Sequence, residues 1–116
     1  MLDNDSGINK IELSGFVGKY ITMFETKNGS PAIKFQLYTG VKPFSFWQNC
    51  IVYGARGIWL SKVIEEGDLV MIIGKLQEMK SVGANGISSK KKTIVSKHCY
   101  ILEKKEVYEK RISKDA

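Results

Sequence analysis

The position of a single helix-like segment limits the folds open to this chain more than any other feature of its sequence. Between residues 55 and 66, Ile58, Trp59 and Val63 recur at helical spacing, and Gly67 follows as a typical helix stop. The other periodic segments alternate between polar and apolar residues, as strands do. The sequence therefore predicts one helix inserted between strands, and we expect Trp59 to plug one end of the sheet from that helix.

Strand-like segments flank the helix, three before it and two after it. They cover residues 9–18 with an extension up to 26, 33–38, 44–54, 69–79 and 93–102. Asn28-Gly29 is a typical hairpin turn, and Gly15 and Gly18 call for a sharp bend in the first strand. The residues expected to face the core are Ile11, Leu13, Val17, Ile33, Phe35, Leu37, Cys50, Val52, Val70, Ile72 and Leu76.

This order of elements is that of the oligonucleotide-binding (OB) fold. The sequence predicts an all-β, five-stranded OB-fold barrel with one helix between strands 3 and 4 and a long hairpin between strands 4 and 5. Residues 81–89, rich in glycine and serine, are expected to form a flexible arm in that hairpin. Residues 1–8 are expected to be a flexible N-terminus, 9–102 one domain, and 103–116 a charged tail that is either a short helix or disordered.

The third strand-like segment, residues 44–54, carries large aromatic side chains on one face. If it alternates as a strand does, Trp47, Asn49, Ile51 and Tyr53 point the same way. Rings spaced along one face suit single-stranded nucleic acid, because every base has a π-face. The same rings can instead serve as core or interface residues, and the strand pattern alone does not decide between these two interpretations.

Positive charge is concentrated after the helix. The net charge is +6, and between Leu69 and His98 six lysines accompany a single acidic residue, Glu78. Such segregation favours a polyanionic partner over an ordinary solvated surface. The residues expected to contact phosphates are Lys75, Lys80, Lys90, Lys91 and Lys92, with Lys34, Tyr38 and Arg56 as secondary candidates.

The sequence contains no recognisable pattern for catalysis, a metal or a cofactor. The single histidine, His98, is followed by Cys99, but neighbouring strand residues face opposite ways and cannot form a nucleophile–base pair. Cys50 and Cys99 lack metal-ligand spacing, which indicates buried thiols. The sequence has neither a membrane-spanning run nor a signal peptide. We therefore expect a cytoplasmic protein that is not an enzyme and needs no cofactor, metal or membrane.

Four groups of short motifs stand in order along residues 9–102. They are Asn9-Lys10-Ile11-Glu12-Leu13-Ser14-Gly15, Asn28-Gly29 with Phe35-Gln36-Leu37, Trp47 to Gly54, and Gly67-Asp68-Leu69-Val70 with Gly74-Lys75-Leu76. Each is weakly specific alone, but their order and spacing are more specific. Together they resemble the DNA-binding domain of the bacterial single-stranded DNA-binding protein family.

The resemblance implies that Trp47 and Tyr53 stack on DNA bases, with Asn49 at a place where the family often has a basic residue. It implies sequence-independent binding and protection of single-stranded DNA in replication, recombination or repair, in a bacterial, phage or plasmid setting and associated with the nucleoid. It also implies a homo-oligomer, a tetramer or at least a dimer, with replication or repair proteins as partners. Met71 and Ile73 are apolar and face outward, where a second subunit would cover them.

The chain departs from the family pattern at several places. Stacking aromatics that the family often carries after the second strand and at the start of the last hairpin are replaced by residues 40–42 and by Ser81-Val82. Family members that recruit repair and replication enzymes end in an acidic tail, whereas residues 110–116 carry three basic residues and one acidic residue. The aromatic residues that could compensate are Phe24, Phe44 and Phe46. Two alternatives stay open: a primosomal OB-fold relative, and a module that binds protein or RNA with the same aromatic face.

Overall fold

The structure is a computed structural model that describes residues 7–115, without the side chains of residues 81–82 and 112–115. Residues 1–6 of the predicted N-terminal segment and Ala116 of the predicted tail lie outside the described residues. The elements in chain order are β1 (Ile11–Val17), β2 (Thr22–Glu25), β3 (Pro31–Thr39), β4 (Phe46–Tyr53), α1 (Gly54–Val63), β5 (Leu69–Val82), β6 (Ser88–Glu103) and α2 (Lys105–Asp115).

The sheet closes into a barrel because β1 pairs on both of its sides. Residues 11–16 pair with β5, and the last two residues of β1 pair with β3. The order is β1-β5-β6-β4-β3 and back to β1, with β2 added to β3. A Cβ atom on Gly15 would come within 2.6 Å of the Tyr38 carbonyl oxygen, so glycine is required where the chain changes partner. The predicted OB-fold architecture is confirmed.

The barrel interior is filled largely by the alternating residues predicted to face it. Ile33, Leu37, Val70 and Ile72 have no exposed surface. Other predicted core residues, Ile11, Leu13 and Leu76, are partly buried and pack against the margin of this cluster. The period-2 pattern therefore identified the inward face of each strand correctly.

Helix α1 closes one end of the barrel, but with a different residue from the one predicted. The helix ends at Val63 rather than at residue 66. Leu60 is fully buried, whereas Trp59 is 43% exposed, so the prediction that Trp59 plugs the barrel is wrong. The physical reason is the close approach of Gly57 to the Val52 carbonyl, only 2.5 Å from where a Cβ would lie. That approach turns Leu60, not Trp59, toward the core.

Strands β5 and β6 extend beyond the barrel as a two-stranded ribbon. Their pairing is regular from Gly74 and Ser96 to Val82 and Ser88. The Asn85 side chain accepts a hydrogen bond from the Ile87 amide at 3.1 Å in the turn between them. The long hairpin is confirmed, but the stretch predicted as a flexible arm is a paired ribbon with a tight turn, because the strands continue past the predicted ends.

The charged tail forms helix α2, which is anchored at the fully buried Asp68. The Asp68 carboxylate accepts hydrogen bonds from the Glu65 amide at 2.8 Å, the Lys105 amide at 3.0 Å and Lys104 Nζ at 2.6 Å. Every oxygen of this buried charge therefore has a partner, as burial requires. Of the two states that the sequence leaves open for the tail, the structure has the helix.

Candidate nucleic-acid interface

The outward face of the β3–β4 pair carries a band of polar and aromatic side chains. Opposite residues on this face are Lys34 and Ile51, Gln36 and Asn49, and Tyr38 and Trp47. Asn49 also lies opposite Thr93 of the parallel strand β6, so the band continues into the ribbon. Since alternate residues of a strand share a face, this band turns away from the barrel core.

Trp47 lies in this band and is 54% exposed. Its ring packs over Gly18, where a Cβ atom would come within 2.6 Å of the indole Cζ3. The Tyr38 ring meets the indole edge-on with centroids 5.0 Å apart, and the Tyr38 and Ser45 hydroxyls are hydrogen bonded at 2.6 Å. Trp47 is thus held from one side while its ring stays accessible to a stacking partner.

A groove of about 400 Å³ lies across the band, between β2 and the β5–β6 ribbon. In it, Gln36 Nε2 donates a hydrogen bond to Asn49 Oδ1 at 3.0 Å. Ile51 also lines the groove but is only 2% exposed, so it contributes an apolar floor rather than a contact surface. The groove therefore combines amide groups with an apolar base, which suits a planar ring with polar edges.

Tyr53 lies at the far end of β4, six positions beyond Trp47, a separation of roughly 20 Å along a strand. Tyr53 is 37% exposed, and its cross-strand neighbour Ala32 is fully buried. On its other side Ala32 has Phe24 of β2 as a neighbour. A small residue thus separates two aromatic rings on the same face.

Lys80 and Lys91 line the ribbon side of the groove. Among the residues that the structure describes, no carboxylate forms an ion pair with either lysine. Lys90 and Lys92 alternate with Lys91 along β6, and Lys80 lies directly opposite Lys90. By strand alternation these three side chains therefore point to the other side of the ribbon from Lys91, and Lys80 meets the groove only at its edge. The lysine run therefore divides between two faces.

Two of the predicted contact residues lie apart from the groove. The Arg56 guanidinium sits 4.5 Å from the ring centroid of Trp59 and donates a hydrogen bond to the Cys99 carbonyl at 2.7 Å. Lys75 lies opposite Val95 and borders a separate depression that also includes Lys97. The structure does not bring these two residues together with Trp47.

Three residues of the site have no simple signal in the sequence. Gly18 matters because the indole of Trp47 packs on it, Tyr20 lines the groove from the link between β1 and β2, and Thr93 lines it from β6. Gln36 is different, because its alternation with Lys34 along the second predicted strand could have identified it. The other three become part of one surface only when distant strands come together.

Both thiols are buried in the barrel core. Burial raises the pKa of Cys50 far above its usual range, and burial raises the pKa of Cys99 to about 11 although nearby Arg56 lowers it. The prediction of buried free thiols is confirmed. Within the described part of the chain, no group of His, Cys, Asp and Glu residues could hold a metal ion. Likewise, no helix within residues 7–115 is long and apolar enough to cross a membrane.

Comparison with known proteins gives one family and several related folds. The family model described as the single-strand binding protein family matches residues 8–102. No curated protein sequence is a significant match to the chain.

Three of the solved structures that share this fold come from three different organisms. A Plasmodium falciparum SSB, solved in complex with ssDNA, is 22% identical with a TM-score of 0.70, covering 86% of this chain and 99% of its own. The mitochondrial single-stranded DNA-binding protein of S. cerevisiae is 18% identical with a TM-score of 0.67, covering 84% and 98%. The small single-stranded DNA-binding protein of Streptomyces coelicolor is 17% identical with a TM-score of 0.64, covering 79% and 92%.

Proposed function

The chain belongs to the single-strand binding protein family, and we propose that it binds single-stranded DNA with the face that carries Trp47, Tyr53 and the groove. Family membership agrees with the function predicted from the sequence, a non-enzymatic protein that binds and protects single-stranded DNA in replication, recombination or repair. What the proposal adds is the surface and the role of each residue on it.

The accessible indole of Trp47 carries this proposal. An aromatic ring that is 54% exposed, yet held by Gly18 and Tyr38, presents its π-face without further rearrangement. Stacking of a base on such a ring contributes about 1–3 kcal/mol and tolerates any base. Tyr53, on the same face of β4, offers a second ring for the same strand of DNA.

Lysines supply the second contribution, attraction of the phosphates. Lys91 faces the groove and Lys80 borders it from the other side of the ribbon, and neither has a carboxylate partner among the described residues. Their charge is therefore free to act on a ligand, that of Lys91 most directly. Binding of phosphates releases counterions, which makes affinity fall with salt. Stacking is not screened in this way, so the aromatic contribution should dominate at high salt.

We further propose that a second copy of the chain covers the outer face of β5. Met71 and Ile73 are half-buried there, and the cross-strand neighbour of Met71, Tyr100, is 43% exposed. This apolar surface is what a homo-oligomer, a tetramer or at least a dimer, would bury. Met71→Glu should then lower the sedimentation coefficient. Replication or repair proteins as partners, and a cytoplasmic, nucleoid-associated location, are proposed with it.

The two tryptophans give a matched test of the stacking surface. Trp47→Ala should weaken binding of fluorescently labelled oligo-dT by roughly ten- to a hundredfold at every salt concentration, because a stacking ring is lost. Trp59→Ala removes an indole of similar exposure that lies on α1, and should bind like the parent. In the Trp59→Ala protein, DNA should still quench the fluorescence of Trp47.

Equal affinity of Trp47→Ala and parent protein would show that the binding face lies elsewhere. Parallel titrations with RNA of equal length decide which nucleic acid is preferred. They are needed because the proposed stacking and phosphate contacts do not involve the 2′-hydroxyl that distinguishes RNA from DNA. Stacking at Trp47 would also be contradicted if DNA failed to quench the fluorescence of the Trp59→Ala protein although that variant kept the affinity of the parent.

A further inference from the structure

Phe24 and Lys34 meet at the edge of the groove away from the ribbon. Phe24 is on β2 and Lys34 on β3, both line the groove, and Lys34 Nζ is 5.3 Å from the centroid of the Phe24 ring. Phe24 is partly buried, while Lys34 is exposed. An aromatic face and a cation thus occupy one place on the band.

We propose that Phe24 and Lys34 form a second base-binding subsite, which takes one nucleobase on the Phe24 ring and a phosphate on Lys34. The inference rests on the proposed function, since it assumes that single-stranded DNA lies along this face. Tyr53 is separated from Phe24 only by the buried Ala32, so a strand of DNA that runs from Trp47 to Tyr53 reaches this subsite.

The contact between Lys34 and Phe24 suits an exchange on binding. At an exposed site, a lysine over an aromatic ring is held weakly, and a stacked base makes a stronger contact with the same ring. An incoming base can therefore displace the ammonium group from the ring. The displaced ammonium then lies beside the phosphate of that nucleotide, where its charge releases a counterion. In the free protein the Lys34 ammonium lies over the Phe24 ring, and in the complex a DNA base replaces it there.

This subsite lengthens an aromatic platform that is short in sequence. Residues 40–42 and Ser81-Val82 carry no aromatic ring at the places where the family resemblance implies one. Phe24 supplies one from an added strand, β2, whose pairing partner within residues 7–115 is β3 alone. A ring on that strand reaches the band solely because Thr22–Glu25 pairs in the observed register.

Phe46 offers a matched control for Phe24. It is 49% exposed and lies opposite Thr39, but it precedes Trp47 in β4 and therefore points to the other face of the strand. Loss of its ring should leave binding unchanged. The same type of substitution, phenylalanine to leucine, can thus be compared on the two faces.

The test measures affinity for a series of oligo-dT lengths in the parent protein and in Phe24→Leu, Phe24→Tyr and Phe46→Leu. Phe24→Leu should weaken the affinity for long oligo-dT roughly tenfold. Its affinity for the shortest oligo-dT that still quenches Trp47 should equal that of the parent. Phe24→Tyr keeps the ring and should bind like the parent, as should Phe46→Leu. Thermal unfolding of each variant shows whether β2 remains in place.

Lys34→Gln removes the charge of the subsite while the Phe24 ring stays in place. The variant should flatten the slope of log affinity against log salt by about 0.7, the value for one phosphate on a single strand. Parent-like affinity of Phe24→Leu together with a parent-like slope of Lys34→Gln would overturn the subsite. If Trp47→Ala still weakens binding in that case, the proposed function stands. If the parent protein fails to bind oligo-dT at any salt concentration, the proposed function itself fails.

Discussion

Two edge-to-face aromatic pairs lie next to each other on this barrel, and they differ in the element that supplies the second ring. The rings of Phe16 and Tyr108 are 5.7 Å apart, and those of Tyr38 and Trp47 are 5.0 Å apart. Phe16 and Tyr38 are themselves opposite each other in β1 and β3. In the first pair Tyr108, on helix α2, donates its hydroxyl to the Gly67 carbonyl at 2.7 Å, whereas in the second Trp47 stays half-exposed.

The lysines of the two regions differ in the same way. Lys104 Nζ contacts Asp68 Oδ2 at 2.6 Å, the Val63 carbonyl at 2.5 Å and Glu65 Oε1 at 3.1 Å. Burial lowers the pKa of Lys104, but its hydrogen bonds to Asp68 and Glu65 raise that pKa by more, so it ends above its usual value. Lys91, by contrast, faces an open groove. Partners and burial, not residue type, therefore make Lys104 a structural anchor and leave Lys91 available to a ligand.

The largest effect, a loss of stability, is expected when the Asp68 carboxylate that holds helix α2 is removed. Asp68→Ala leaves the amides of Glu65 and Lys105 and the ammonium of Lys104 without their acceptor. We expect the free energy of unfolding in urea to fall by about 3 kcal/mol. Affinity for oligo-dT of the folded variant should stay unchanged, because Trp47 is positioned by Gly18 and not by α2.

The exposed Glu65 side chain provides the control for that experiment. It touches the same lysine but is 73% exposed, so Glu65→Gln should leave stability nearly unchanged. If Asp68→Ala weakened DNA binding as strongly as it lowered stability, the two regions would not be independent. The Phe16–Tyr38 contact between β1 and β3 would then couple the two regions.

A smaller loss of stability is expected for Lys104→Met, and it should depend on pH. Asp68 loses its cationic partner but keeps two amide donors, so we expect a cost of about 2 kcal/mol at neutral pH. Because folding raises the pKa of Lys104, its contribution is complete below the ordinary lysine value of 10.5 and is lost as pH rises through the folded value. Urea titrations should show the difference from the parent shrinking only above about pH 10.5. A difference that shrinks already between pH 7 and 9 would assign the effect to another group.

The seat of Trp47 can be tested with one methyl group. Gly18→Ala places a Cβ 2.6 Å from the indole Cζ3, so the ring must shift. We expect affinity for oligo-dT to fall several-fold, by about 1 kcal/mol, through partial loss of stacking, together with a shift of tryptophan emission. Gly7→Ala adds the same methyl group where nothing lies within 4 Å and should change neither property. Unchanged affinity in Gly18→Ala would show that the exact position of the ring is unimportant.

The smallest effect is a change in the salt dependence of binding, which should differ between Lys91 and Lys92 on the two faces of the ribbon. Lys91→Gln should reduce the salt slope of oligo-dT binding by about 0.7, because one phosphate contact is lost. Lys92→Gln removes the same charge from the other side of the ribbon and should change the slope much less. Equal changes in the two variants would mean that the ribbon attracts DNA by net charge alone.

Local patterns made a large part of this molecule predictable. Alternation along each strand identified the core positions and placed Trp47, Asn49 and Tyr53 on one face, because side-chain direction follows from neighbouring residues only. The order of strands and helix indicated the OB fold. The error at Trp59 has a different origin. Helical spacing gave an apolar stripe, but the contact of Gly57 with β4 decided which residue of that stripe, Leu60, turned inward.

By itself the sequence determined the class of fold, the alternating core, the family and the two aromatic residues on β4. Those properties depend on short-range periodicity and on the order of segments. Only the tertiary structure decided that Gly18 seats the indole, that Phe24 joins the same face, and that Asp68 holds Lys104 from 36 positions away. Such contacts form between residues far apart in the chain, and their burial, which sets their strength, exists only once the barrel has closed.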